Sequence, residues 1–117
     1  MDTLIGKKFI ILIEDEEVMV NLLVGKLEKA GYIVKTVLDG MNGLDLVRSE
    51  KPDLVLLDMM LPRLNGFGIL EKLSEEKILP GLPIIIISNS GQPIEIDRAL
   101  KLGVRDYLIK VNFDPNE

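Results

Sequence analysis

Five short apolar runs, rich in Ile, Val and Leu, recur along this chain at 9–13, 32–38, 54–57, 84–87 and 107–109. Each is bounded by charged or turn residues, and longer amphipathic stretches separate them, so the sequence predicts five strands alternating with helices. Several runs are apolar without interruption, as strands covered on both faces are, and strict alternation of strand with helix is the pattern of a parallel α/β sheet. The helical stretches have recognisable ends. Residues 16–30 carry Met19, Leu22, Leu23, Leu27 and Ala30 on one face, with acids in the first turn, Lys26 and Lys29 in the last, and Gly31 as the stop. A short second helix over 44–50 is ended by Pro52. A third over 67–77 turns Ile69, Leu70 and Leu73 inward before Pro80 and Pro83. A fourth over 94–102 turns Ile96, Ala99 and Leu100 inward and stops at Gly103. No internal repeat, low-complexity tract or linker interrupts this order, and 117 residues make one domain spanning 1–117.

Composition narrows the chemistry. The longest apolar runs are four or five residues, too short for a membrane span. Fourteen Lys and Arg against nineteen Asp and Glu give a net charge of −5, the wrong sign for direct nucleic-acid binding. With no Cys and no His there is no thiol nucleophile, no imidazole acid or base and no Cys/His zinc site. Catalytic or binding groups must be carboxylates, Lys and hydroxyls. The first eight residues lack the apolar stretch of a secretory signal, which makes the cytoplasm the expected compartment.

In open parallel sheets, ligands collect at the carboxyl ends of the strands, where strand order reverses. Here Glu14 and Asp15 follow the first run, Asp58 the third, Ser88 the fourth and Lys110 the fifth, while the second ends in the turn pair Asp39-Gly40. If the first and third strands are neighbours, three carboxylates crowd one rim. Either a raised pKa or a hard divalent ion such as Mg²⁺ would relieve their repulsion. Asp58 is a competent phosphoryl acceptor, Lys110 a fixed positive charge and Ser88 a hydroxyl, the parts that phosphoryl transfer requires. Taken singly, each has a plainer reading: Asp15 as the cap of the first helix, Ser88 as a loop hydroxyl, Lys110 as a surface charge. Their joint placement at strand ends favours the site.

The segments FIILIEDEE (9–17), DLVLLDMMLP (53–62) with Asn65-Gly66, PIIIIS (83–88) and GVRDYLIK (103–110) resemble the receiver domains of two-component response regulators, in order and spacing from about residue 8 to 110. The resemblance implies a flavodoxin-like, doubly wound five-stranded parallel sheet of order 2-1-3-4-5. It implies that a sensor histidine kinase or a phosphotransfer protein donates a phosphoryl group to Asp58. It further implies Mg²⁺ bound directly by Asp15, Asp58 and the backbone carbonyl of Met60, with Glu14 acting through water. Ser88 and Lys110 would meet phosphoryl oxygens, and Tyr107 would be the aromatic switch that turns inward as Ser88 moves. From spacing alone, Tyr107 reads equally well as a strand aromatic packed on the neighbouring helix. The parts implied to move are 88–91, the helix 94–102 and Tyr107. Their output would be an altered face for a partner or for an effector domain removed from this chain.

The sequence also departs from the family. Val111 stands after Lys110 where the family usually has proline, so the chain either keeps a strained cis bond or leaves the fifth strand differently. Asn89 stands where a small residue is usual. Met60 offers no group to orient an attacking water, so slow loss of the phosphoryl group is expected. Only 111–117 follow the fifth strand, which predicts four helices with the fifth missing or truncated, Asp114 and Pro115 resembling its start. Right-handed crossovers then place the first helix on one sheet face and the other three on the opposite face. The under-covered face predicts an exposed apolar patch and self-association. An alternative is a phosphate-independent pseudo-receiver that keeps the fold as an interaction module. An FMN carrier of similar fold lacks the needed aromatics and phosphate loop, and an Asp-nucleophile hydrolase would want a second acid where Met60 stands.

Overall fold

Branching at Cβ restricts χ1 and suits extended backbone. Every run carries Ile or Val, and they form β1 (Phe9–Ile13), β2 (Ile33–Val37), β3 (Leu54–Asp58), β4 (Ile84–Ser88) and β5 (Asp106–Ile109). Between them lie α1 (Glu17–Lys29), α2 (Gly40–Glu50), α3 (Gly66–Glu75) and α4 (Pro93–Leu102). The computed structural model describes residues 8–79, 81–89 and 92–110. Among these residues all strand pairs are parallel and the order is β2-β1-β3-β4-β5, with four helices, the doubly wound sheet expected from the sequence. Strand order reverses between β1 and β3. There Ile13 pairs with Leu57, so the next residues, Glu14 and Asp58, emerge side by side.

The two sheet faces are unequally covered. On one, Ile11, Ile13, Val55, Leu57, Ile84 and Ile86 join buried residues of α2, α3 and α4 in the main core. On the other, Ile10, Leu12, Leu56 and Ile87 pack against Val20, Leu23, Val24 and Leu27 of α1. No residue of α1 is itself buried. The inward stripe of α1 therefore differs from the expected one: Val20 and Val24 replace Met19, Leu22 and Ala30 as partners of the sheet, and Ala30 is exposed. The helix is apolar around more than half its circumference, so periodicity alone does not select the face. Ile10, Leu12 and Ile87 are almost fully buried, and among the described strands exposure on this face is greatest at the sheet edge, where Leu108 of β5 is 37% exposed. The expected broad patch is thus narrower than the sequence implies. The expectations of self-association and of a missing or truncated fifth helix concern 111–117 in part, and Val111, Asp114 and Pro115 lie outside the described residues.

Three helix expectations need correction. The second helix begins at Gly40, four residues before the expected start, because Asp39 caps it: its side chain accepts from the Asn42 amide at 2.9 Å. Asp39-Gly40 is a helix entry, not a free turn. In α4, Ala99 is buried and Leu102 packs on the core, whereas Leu100 is 47% exposed. Asp15 does not cap α1; the N-cap is Glu16, and no side chain bonds the helix amides there.

Candidate functional site

Of the four buried polar residues among the described ones, Asp58 and Ser88 end β3 and β4, while Glu14 follows β1 and Lys110 follows β5. An apolar strand run drives each to this rim, because the residue that follows the run in sequence must emerge where the sheet stops. The Lys110 ammonium lies 2.8 Å from Glu14 Oε1, 3.4 Å from Asp58 Oδ2 and 3.6 Å from Glu16 Oε1. Glu14 Oε2 accepts from the Glu16 amide at 3.0 Å and Asp58 Oδ1 from the Met60 amide at 3.2 Å. Glu14 Oε1 is fully buried and makes no hydrogen bond of good angle, so the ammonium meets it as a charge only.

Electrostatics follow from this crowding. Burial pushes the Glu14 carboxyl up from its ordinary value to about 7; the Lys110 ammonium and the Glu16 amide pull against that rise, and the Asp58 charge adds to it. Burial also works against the Lys110 ammonium, but the close contact with Glu14 and the charges of Asp58, Glu14 and Glu16 outweigh it and hold its pKa above the ordinary lysine value. Four carboxyl groups around one ammonium leave an excess of three negative charges when all are ionised. With Glu14 neutral the excess is two, the charge of one divalent cation.

One ligand atom each from Glu14, Asp15 and Asp58 lies within 4.8 Å of the others, with Asp15 exposed and the other two buried. Clustered carboxylate oxygens, one of them buried without a good hydrogen bond, fit a hard oxygen-seeking ion such as Mg²⁺. The expected site residues thus meet at one end of the sheet. Ser88 is 2% exposed at the end of β4, the strand beside β3. Tyr107 is half-buried and packs on the core face that α4 covers. Asn89 is exposed, and two of the implied moving residues, Ser90 and Gly91, lie outside the described ones.

Sequence reasoning missed two things. Glu16 joins the Lys110 cluster, and the acidic run 14–17 was the available signal. The loop after β3 is also fastened to α2. The Gly40 amide donates to the Pro62 carbonyl at 3.1 Å, and a Cβ on Gly40 would overlap the Leu64 carbonyl oxygen. Gly66 likewise lets α3 start against Met59, whose Cα would lie 2.8 Å from an added Cβ.

Comparison with known proteins gives a consistent result. The family model of the response regulator receiver domain matches residues 10–117. The chain is 38% identical over 110 residues to the alkaline phosphatase synthesis transcriptional regulatory protein PhoP of Bacillus subtilis, covering 94% of this chain and 45% of that protein. It therefore spans about half the length of such transcriptional regulators. Protein PilH of Pseudomonas aeruginosa is 35% identical over 101 residues, covering 86% of this chain and 84% of PilH. Among solved structures, the receiver domain of the Francisella response regulator 1452 superposes with a TM-score of 0.86 at 26% identity, covering 94% of this chain and 88% of that one.

Proposed function

Because the chain belongs to the response regulator receiver domain family of two-component systems, we propose that it is a phosphoacceptor whose nucleophile is Asp58. The observation that carries this reading is the convergence at one rim: an ammonium 3.4 Å from Asp58 Oδ2, and the oxygens of Glu14, Asp15 and Asp58 within 4.8 Å of one another. An Asp58 carboxylate oxygen forms a bond to phosphorus as the donor's bond to phosphorus breaks, and the leaving imidazole of a phosphohistidine takes up a proton. Lys110 lies where it would balance the charge arriving on a phosphoryl oxygen. Ser88, on the adjoining strand, supplies a hydroxyl for another. Asp15, Asp58 and the Met60 carbonyl would hold Mg²⁺, with Glu14 behind them. The ion's contribution is to draw negative charge off the phosphoryl oxygens.

The donor would be a histidine kinase or phosphotransfer protein in the cytoplasm. Within the described residues no helix is long and apolar enough to cross a membrane. Phosphorylation adds about two negative charges to a rim already in excess, and the two states would differ in how Ser88, Tyr107 and α4 meet them. The output would then be a changed surface offered to an effector domain or partner. The phosphate-independent module left open by the sequence gives no account of a buried ammonium facing a buried carboxylate. Incubation with Mg²⁺ and acetyl phosphate should add the mass of one phosphoryl group, and Asp58→Asn should take up none. Equal uptake by that variant would remove Asp58 as acceptor.

A further inference from the structure

Arg63 stands out in the backbone. It has φ +70°, and among the described residues the other non-glycine residues with positive φ, Lys51 and Lys77, follow helix C-termini. Arg63 sits instead in the middle of the loop joining β3 to α3. A side chain in this left-handed conformation is disfavoured by its own Cβ, so some outside contact must hold it. Its guanidinium reaches Asp39 Oδ2 at 3.4 Å. Asp39 is 84% buried by side chain, and the Asn42 amide and side chain anchor it at 2.9 and 2.8 Å.

The same loop is pinned on either side of Met60. The Met59 carbonyl accepts from the Gly66 amide at 3.0 Å, and the Pro62 carbonyl from the Gly40 amide at 3.1 Å. Met60 lies between the two pinned carbonyls, and its amide meets Asp58 Oδ1. A loop fixed at 59 and 62 leaves little freedom at 60. The Pro62 attachment is made to the first turn of α2, the turn that Asp39 caps, so whatever draws residue 63 toward Asp39 also seats Pro62 on Gly40.

We propose that Arg63 is a positioning residue for the Asp58 site: by clipping the β3–α3 loop to Asp39 it fixes Met60, whose carbonyl completes the ion's ligand set. This rests on the phosphoacceptor reading above for the role of Met60, but not for the clip itself. An exposed ion pair shifts a local equilibrium by a small factor, about threefold. Arg63→Ala keeps the Cβ and removes the cation, so Mg²⁺ affinity, followed by amide shifts on the full 117-residue chain, should fall about threefold. Exchange at the Gly40 amide should speed up by a similar factor without metal. Arg63→Lys restores the charge and should recover both. Asp39→Asn, which keeps the cap oxygen, should match Arg63→Ala, and the double variant should be no worse than either.

Wild-type affinity and wild-type exchange in Arg63→Ala would overturn the proposal, as would Arg63→Lys behaving like Arg63→Ala. A wild-type chain that binds no Mg²⁺ would overturn the phosphoacceptor reading instead, while exchange at Gly40 still tests the clip.

Discussion

The sheet carries a charged cluster at each pole, and the two are built on opposite terms. At the carboxyl ends of the strands, Lys110, Glu14 and Asp58 have side chains only 5%, 0% and 3% exposed, with acids in excess. At the amino ends, Arg48 of α2 bridges Asp45 and Glu76 at exposures of 38%, 70% and 35%. Its Nε meets Glu76 Oε1 at 2.8 Å, and its Nη2 meets Oε2 as well. A cavity of about 450 Å³ between Val47, Arg48, Pro52, Ile78 and Leu82 belongs to this second pole. A cavity by itself does not mark the chemistry. What marks it is burial of unlike numbers of charges, an arrangement that costs stability and that a solvated pair joining two helices does not need.

Cutting the buried cluster should give the largest effect. Lys110→Met removes the only ammonium among the described residues that faces Glu14 and Asp58, and leaving buried carboxylates without a partner costs on the order of 3 kcal/mol. The loss should be full at pH 8 and smaller at pH 5, where protonation of Glu14 removes one of the orphaned charges. Urea unfolding at both pH values, with phosphoryl uptake from acetyl phosphate as a second readout, checks it. Uptake should fall at both pH values. A variant as stable as the wild type at pH 8 would mean that the two poles do not differ in kind.

Glu14→Gln comes next and has the opposite sign. The carboxyl is raised in the folded chain to about 7, so its contribution to stability is fully present below the unfolded value near 4.5 and is lost as pH rises through 7. Glutamine keeps the shape without that loss. The variant should gain on the wild type between pH 5 and pH 8, by on the order of 1 kcal/mol. Mg²⁺ should narrow the gap, since the ion favours ionised Glu14. A gap that does not vary with pH would show that burial is not what raises this group.

Much of this was legible in the sequence, for local reasons. A run such as Ile84 to Ile87 states its own extended backbone, and the acid or base that follows a run is carried to the rim with it. Register was less visible, yet five parallel strands with short connections leave few ways to order them. The rest depended on distant partners. Asp39-Gly40 reads as a turn because glycine is a poor helix former; the Asp39 cap makes it a helix entry, and Gly40 and Gly43 are glycine because Leu64 and Ile13 leave no room for a Cβ there. Leu100 and Leu102 are both apolar, and packing on the β4 and β5 side selects Leu102. Arg63 and Asp39 are 24 residues apart, and nothing in either residue type announces a left-handed backbone.

The exposed pole should give the smallest effect, and again with its own sign. The Arg48 guanidinium holds the Glu76 carboxyl below its ordinary value of 4.5, so the pair's contribution is present above that value and is lost as pH falls through the lowered one. Acid therefore weakens this pole over a range lying below the one in which it relieves Glu14. Glu76→Gln should leave the melting midpoint near pH 7 close to that of the wild type and flatten its decline below pH 4. Both groups are solvent-screened, so any difference should shrink further in salt of about 0.5 M, where charges more than a few ångströms apart no longer interact. Lys110→Met should show little such dependence, because salt does not reach a buried pair. Thermal melts of the two variants at low and high salt set the poles side by side: equal salt sensitivity would place Lys110 in the same class as Arg48 and leave its burial without consequence.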